Sequence, residues 1–235
     1  MLHDEFLFSP QDEDTTGDNR SFIDMAEEVA VSQALHCAAT SGDISTIRLL
    51  VARGADVNAP DSAGRSVIVS LLLGDSAHNG DIDSLECDLL ARTVPPLDTE
   101  RLEALRFLLE LRETTLYTLN APQAVLHGVT PLGMTAYLNQ LEAVRLLLEQ
   151  SGGLVAVDGM DSHGATPLMY ASRDGNADVV RCLLENGARP DLKDVNHYSA
   201  MQYATRHPLT LWQCETSLRK HRAKASRVLI LFAVP

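Results

Sequence analysis

Two sets of residues in this chain have types and spacings that could do chemistry. The first is acidic. Asp75-Ser-Ala77-His-Asn79-Gly80-Asp81-Ile82-Asp83-Ser-Leu-Glu86 puts Asp at position 1, Asn at 5, Gly at 6, Ile at 8, Asp at 9 and Glu at 12 of a twelve-residue loop. Hard oxygen ligands with that spacing wrap one calcium ion, and the glycine permits the sharp turn. Asp75, Asn79, Asp81, Asp83 and Glu86 are the candidate ligands. Position 3 is Ala77, where an oxygen belongs, and no second loop pairs with the first, so the expectation is an acidic loop without metal. The second set is imidazole: His36 beside Cys37, and His127, His163 and His197 farther on. A histidine set could bind a metal or sense pH, but no nearby Cys or carboxylate set accompanies these. Neither G-x-S-x-G, H-E-x-x-H, a phosphate-cradling glycine loop nor a dinucleotide fingerprint is present, so the expectation is a protein that is not an enzyme and takes no cofactor.

The elements that position these residues follow from a repeat. The clearest unit runs Asp161-Ser-His163-Gly164-Ala-Thr166-Pro167-Leu168-Met-Tyr170-Ala171, then Gly175, then Val179-Val180-Arg-Cys-Leu183-Leu184-Glu-Asn-Gly187-Ala188. Ala34-Leu35-His36-Cys37-Ala38-Ala39 with Leu49-Leu50 and Gly54-Ala55-Asp56-Val57-Asn58 repeats it upstream, and Gly128-Val129-Thr130-Pro131-Leu132 with Leu146-Leu147 is a third copy. Asp194, Ser199-Ala200-Met201 and Ala204 follow Asp161, Thr166-Pro167-Leu168 and Ala171 by 33 residues. The second copy in chain order, opened by Asp61-Ser-Ala-Gly64-Arg65-Ser66, is split by about 25 extra residues. The pattern resembles the ankyrin repeat, including its T-P-L segment, its terminal L-L-x-x-G-A and its period. The resemblance implies an all-α solenoid of stacked helix-turn-helix units with short inter-repeat hairpin turns. Thr or Ser caps each first helix, Pro fits its first turn, Ala permits close approach and paired Leu fills the space between repeats. No unit can bury its own apolar face, so stability comes from stacking.

The domain reading is an acidic, disordered segment over 1–30, five repeats over 31–208 with an insertion at 75–99 inside the second, and a capping helix with a basic and apolar tail over 209–235. At the capping helix Trp212 is expected in the core. Superposed on the ankyrin arrangement, Thr40, Leu73, Tyr137, Arg173 and Arg206 fall in one column of the first helices, and Cys37, Ser70, Met134, Tyr170 and Tyr203 in its neighbour. The family holds partners on this concave face and on the hairpin fingertips. Tyr and Arg dominate interface energetics, so Tyr137, Tyr170, Arg173 and Arg206 are candidate contacts, joined by the fingertip residues Arg65, His163 and His197. Tyr170 and Tyr203 are also expected to be partly core. Asn58 matches the hairpin asparagine that an oxygen-dependent hydroxylase modifies in the family.

The net charge of −13 divides unevenly. Residues 1–30 hold nine acids against Arg20, residues 31–204 hold 22 against 12 bases, and residues 205–235 hold Glu215 against six. An acidic body repels phosphate backbones, which makes nucleic acid an unfavourable ligand and a protein the expected partner of a monomeric chain. Cys37, Cys87, Cys182 and Cys214 are dispersed, which fits a reducing compartment, cytoplasm or nucleus, and no window is long enough to cross a bilayer. Phe6-Leu7-Phe8-Ser9-Pro10 is either a docking motif or a patch folded onto the first repeat; the sequence does not separate these. The function expected is a protein-interaction scaffold or adaptor. A nuclear or transcriptional regulator, or a calcium-responsive module at 75–86, are the alternatives.

Overall fold

A computed structural model of the chain describes the backbone of residues 16–74, 96–112, 114–123 and 127–232, and the side chains of 27–74, 96–112, 114–123 and 127–223. Eleven α-helices are present among them, in pairs. Repeat one is α1 (Thr16–Ser41) and α2 (Ile44–Ala52); repeat two is α3 (Val67–Leu73) and α4 (Thr99–Glu110). After a one-turn α5 (Leu116–Asn120), repeat three is α6 (Pro131–Tyr137) and α7 (Leu141–Gln150), and repeat four is α8 (Pro167–Asp174) and α9 (Ala177–Glu185). Repeat five is α10 (Ala200–Tyr203), a 3₁₀ turn over Ala204–Arg206, and α11 (Pro208–Phe232). First helices pack on first helices, α1 on α3, α3 on α6, α6 on α8 and α8 on α10. Second helices form the other layer, α2 on α4, α4 on α7, α7 on α9 and α9 on α11.

The local chemistry explains the boundaries. Ser66, Thr130 and Thr166 each accept a backbone N–H of the first turn, and Pro131 and Pro167 open their helices where a missing N–H costs nothing. Asp43 and Asp98 cap the second helices of repeats one and two in the same way. In repeats one to four the chain leaves the first helix through a left-handed residue. Gly74 (φ 57°) and Gly175 (φ 74°) supply it in repeats two and four, because a Cβ there would strike Arg101 or His207. The main core runs unbroken from Leu35 through Ile47, Leu72, Leu105, Leu147 and Leu183 to Cys214, with Ala38, Ala104, Ala136 and Ala171 letting helices close up.

Three expectations need correction. Helix α1 begins at Thr16, so half of the segment expected to be disordered is helical; between Asp18 and Ser41 the chain has neither Gly nor Pro to break it. At the other end, α11 starts at Pro208 and is the second helix of repeat five, so the boundary expected at 208/209 falls inside one helix. Trp212 is 60% exposed, whereas its helix neighbours Thr210 and Cys214 are buried. The helix turns Cys214 inward against Ser172, and an angle of about 200° between residues two apart carries Trp212 to the outer face.

Candidate functional site

The fingertips are built on a repeated aspartate. Asp61, Asp161 and Asp194 each use Oδ1 to accept the N–H groups two and four residues ahead, at 2.8–2.9 Å. This closes the turn that leads into the next first helix. Successive tips are joined through the backbone, Ser162 N–H to the His127 carbonyl and Val195 N–H to the His163 carbonyl, both 2.9 Å. What differs is the occupant of Oδ2. In repeat two it is the Arg65 guanidinium, at 2.6 Å, whereas in repeats four and five Tyr170 and Tyr203 donate their hydroxyls to Asp161 and Asp194. Arg65, expected as an open fingertip contact, is therefore tied into its own turn, its side chain only 12% exposed.

Burial first, and then the carboxylate at its hydroxyl, push the Tyr170 phenol well above its ordinary range, and the same two causes push Tyr203 up to about 12. Burial would raise the Asp194 carboxyl, but the hydrogen bonds from Tyr203, Tyr198 and Asn196 outweigh it and hold the group below the usual carboxylate range. The two tyrosines are thus fixed neutral donors, and their rings form the floor of a cleft of about 310 Å³. Tyr137 meets Tyr170 edge to face at 5.7 Å, and the Arg173 guanidinium lies over both rings, 5.3 Å and 5.7 Å from their centroids. Asp174 pairs with Arg173 at 3.2 Å and steadies it. His127 and His163 stand at the fingertip wall, rings 4.3 Å apart. A second hollow of about 330 Å³ shares Arg173, Asn196 and Tyr203 with the first and extends it past Tyr198 to Arg206.

Of the sequence candidates, Tyr170, Arg173 and His163 therefore come together, with Arg206 alongside and His197 exposed at the tip of repeat five. Tyr137 does not present a contact surface: it is 3% exposed, packed with Val69, Leu73, Val129 and Met134 beneath Tyr170 and Arg173. It supports the site from below. Asp161, Asp194, Asn196, Tyr198 and Tyr203 were not singled out as contacts. A signal for two of them was available, since Asp161 and Tyr170 recur 33 residues on as Asp194 and Tyr203.

His36 is buried and crosses to the next repeat, Nδ1 2.9 Å from the Ser70 hydroxyl and Nε2 2.9 Å from the Ala59 carbonyl. Burial is the larger influence and lowers its pKa below 6.5, against the Ala59 carbonyl and Asp61, which act to raise it. Asn58 is engaged as well. Its Oδ1 accepts from the Thr115 N–H and hydroxyl and from the Thr118 hydroxyl. The same device recurs down the stack, with Asn120 Oδ1 accepting from Ala156 N–H at 2.6 Å and Asp158 Oδ1 from Arg189 N–H at 3.0 Å. On the opposite edge Arg101 reaches the Thr40 carbonyl and His207 the Arg173 carbonyl, placing donors at the C-terminal ends of α1 and α8. Asp75, Asn79, Asp81, Asp83 and Glu86 lie outside the described residues. Among the described residues no three His, Cys, Asp or Glu side chains converge in a way that could hold a metal ion.

Comparison with known proteins agrees with this architecture. The family described as "Ankyrin repeats (3 copies)" matches residues 98–194 and "Ankyrin repeat" matches 33–62, together more than half of the chain. The rat protein "Ankyrin repeat and SAM domain-containing protein 6" is 40% identical over 73 residues, 31% of this chain and 8% of its own. "Ankyrin repeat protein nuc-2" of Neurospora crassa is 36% identical over 78 residues, 33% of this chain and 7% of its own. In Arabidopsis thaliana the "ADP-ribosylation factor GTPase-activating protein AGD4" is 31% identical over 85 residues, 36% of this chain and 11% of its own. The chain thus spans about a tenth of the length of these relatives. Ankyrin repeats serve generally as protein–protein interaction modules and are typically non-enzymatic. The periodic fingertip aspartates, the paired helices and the matched residues together establish that this chain belongs to the ankyrin-repeat family.

Proposed function

We propose that the chain acts as a non-enzymatic adaptor that holds a partner protein in the groove running from the His127 and His163 fingertips across Tyr170, Arg173 and Tyr203 to Arg206. One observation carries this reading: the two hollows share Arg173, Asn196 and Tyr203, so they form one continuous surface on the first-helix layer of repeats three to five. Its side chains are preorganised, the tyrosines by Asp161 and Asp194 and the guanidinium by two rings and Asp174, so little rotamer entropy remains to be lost on binding. Rigid Tyr and Arg anchors are the residue types from which interface hot spots are made. Cys182 and Cys214 are buried free thiols and Cys37 an exposed one, which supports a reducing compartment such as the cytoplasm or nucleus.

Affinity capture with the full chain tests this. Arg206→Ala and His163→Ala should each weaken retention of the specific partner about tenfold, the loss of roughly 1.4 kcal/mol expected for a contact on the edge of a hot spot. Arg181→Ala, on the second-helix layer, should leave retention unchanged. A partner set identical for all three variants would place the binding surface elsewhere.

A further inference from the structure

The first-helix groove has a composition that selects the backbone of its occupant. Tyr170 and Tyr203 stand in it at equivalent positions of successive repeats, 33 residues apart. Each turns its hydroxyl to its own aspartate, so the rings line the cleft and the polar tips do not. Adjacent first helices pack at about 8–10 Å, which sets the spacing of the two rings along the stack. The hollows of about 310 and 330 Å³ meet at Tyr203 and follow the same direction.

Hydrogen-bonding capacity in the groove is one-sided. Both oxygens of Asp161 and of Asp194 are engaged, Oδ1 by two backbone N–H groups and Oδ2 by a phenol. The His127 and His163 carbonyls accept from Ser162 and Val195, Gln202 Oε1 accepts from the Ser199 N–H, and Arg173 holds both oxygens of Asp174. Donors are left over. Among the described residues Arg206 makes no hydrogen bond or ion pair, and neither Arg173 Nη1 nor Gln202 Nε2 has an acceptor. The Asn196 amide stands beside them.

A β-strand would bring N–H groups to a rim whose carboxylates and fingertip carbonyls are already engaged, and its side chains return to one face every 6.7 Å or so. An α-helix has its carbonyls bonded internally and would leave the rim donors unmet. A polyproline II segment fits both features. It turns once in three residues, about 9 Å, its carbonyls have no internal partners, and its prolines carry no N–H. We propose that the groove takes a proline-rich segment of the partner in the polyproline II conformation, running along the stack with prolines at i and i+3 against Tyr170 and Tyr203. Carbonyls between them meet Arg173, Asn196, Gln202 and Arg206. The assignment rests on this groove being the docking surface, and the preformed ligand helix, like the preorganised tyrosines, loses little entropy on binding.

The probe is fluorescein-labelled nonaproline, titrated with the full chain and read by fluorescence anisotropy. Binding should saturate with a dissociation constant below about 1 mM. The all-D nonaproline, a helix of opposite hand, and a Gly-Ser peptide of equal length should not saturate in the same range. Tyr203→Leu, Asn196→Ala and Arg206→Ala should each weaken binding about five- to tenfold, with most of the loss recovered in Tyr203→Phe, which keeps the ring. Arg181→Ala should bind as wild type, and circular dichroism confirms that each variant is folded. Unlabelled nonaproline should also displace the partner retained in affinity capture. Failure of nonaproline to bind, equal binding of its mirror image, or binding unaffected by the three groove variants would overturn the proposal. Partner capture that depends on Arg206 and His163, with no binding or competition by nonaproline, would overturn the ligand class alone and leave the adaptor reading standing. Capture independent of both residues, with nonaproline binding still lost in the groove variants, would support the ligand class and reject the adaptor reading.

Discussion

Replacing Tyr203 by Phe deletes one hydroxyl and tests whether the aspartate–tyrosine pair supports the fifth repeat. Asp194 is 6% exposed and receives three hydrogen bonds, two from backbone N–H groups at Oδ1 and one from Tyr203 at Oδ2. A hydrogen bond to a charged acceptor contributes about 1.5–3 kcal/mol. The cleft is open to solvent and water can partly replace the phenol, so the expected loss is about 1–2 kcal/mol at pH 7. For a domain of this size that lowers the melting temperature by about 2–8 °C. A double-mutant cycle with Asp194→Ala should return a coupling of about 1 kcal/mol. The alkaline limb supplies an independent check. The folded phenol titrates near 12, above the value near 10 expected for the unfolded chain, so unfolded chains release the proton first. The advantage of wild type over Tyr203→Phe is therefore complete below pH ~10 and fades as the pH rises towards about 12. Urea titrations of both proteins at pH 7, 9, 10.5 and 11.5 read this. A pH 7 difference below about 0.3 kcal/mol, or a gap that stays constant through the alkaline range, would refute the reasoning.

Other outcomes follow from the same geometry. His36 has a lowered folded pKa, so the unfolded state binds the extra proton; its stability contribution is complete above pH ~6.5 and is lost as the pH falls from there through the folded value. The urea midpoint should drop between pH 7.5 and 5.5 in wild type, and much of that slope should disappear in His36→Gln. Gly175→Ala combines a φ of 74° with a Cβ placed 2.3 Å from His207 Nδ1, whereas Gly187→Ala has φ 92° but nothing within 4 Å. Both pay backbone strain of about 1 kcal/mol, and Gly175→Ala should cost at least about 1 kcal/mol more in thermal unfolding. Asn58→Ala removes the acceptor of three hydrogen bonds from Thr115 and Thr118 and should cost about 2–3 kcal/mol, an effect largely shared with Thr118→Val if the pair couples as drawn. Additive losses for that pair would show that the ladder between hairpins contributes little.

The repeat itself was legible because its determinants are local. A Thr-Pro pair specifies a helix start, a Gly its end, and paired leucines its apolar face, so repeats three and four could be placed from residue order alone, and repeat one, which lacks the Thr-Pro pair, from Ala34-Leu35-His36-Cys37-Ala38-Ala39, Leu49-Leu50 and Gly54. The split of repeat two was legible for the same reason, since Ser66 opens a first helix and Leu105 and Leu108 close a second one far downstream. The first-helix columns that hold Arg173 and Arg206 follow from the period of 33 residues.

Tertiary structure decided which members of a column face solvent. Tyr137 and Arg173 share one register, yet Tyr137 lies beneath Tyr170 because Val69 and Leu73 of the preceding repeat and Val129 of its own build a second apolar cluster under it. Arg65 looked like a fingertip cation, but the free oxygen of Asp61 claims it, where Asp161 and Asp194 take tyrosines nine residues on. Trp212 read as core from its spacing with Leu211 and Cys214, but α11 packs on α9 and α10 with Thr210 and Cys214 buried, and that choice of face leaves Trp212 on the outer side. Periodicity determines that a face is apolar; which neighbour covers it depends on contacts between residues 34 to 61 positions apart, such as His36 with Ser70 and Arg101 with Thr40, and those exist only once the repeats have stacked.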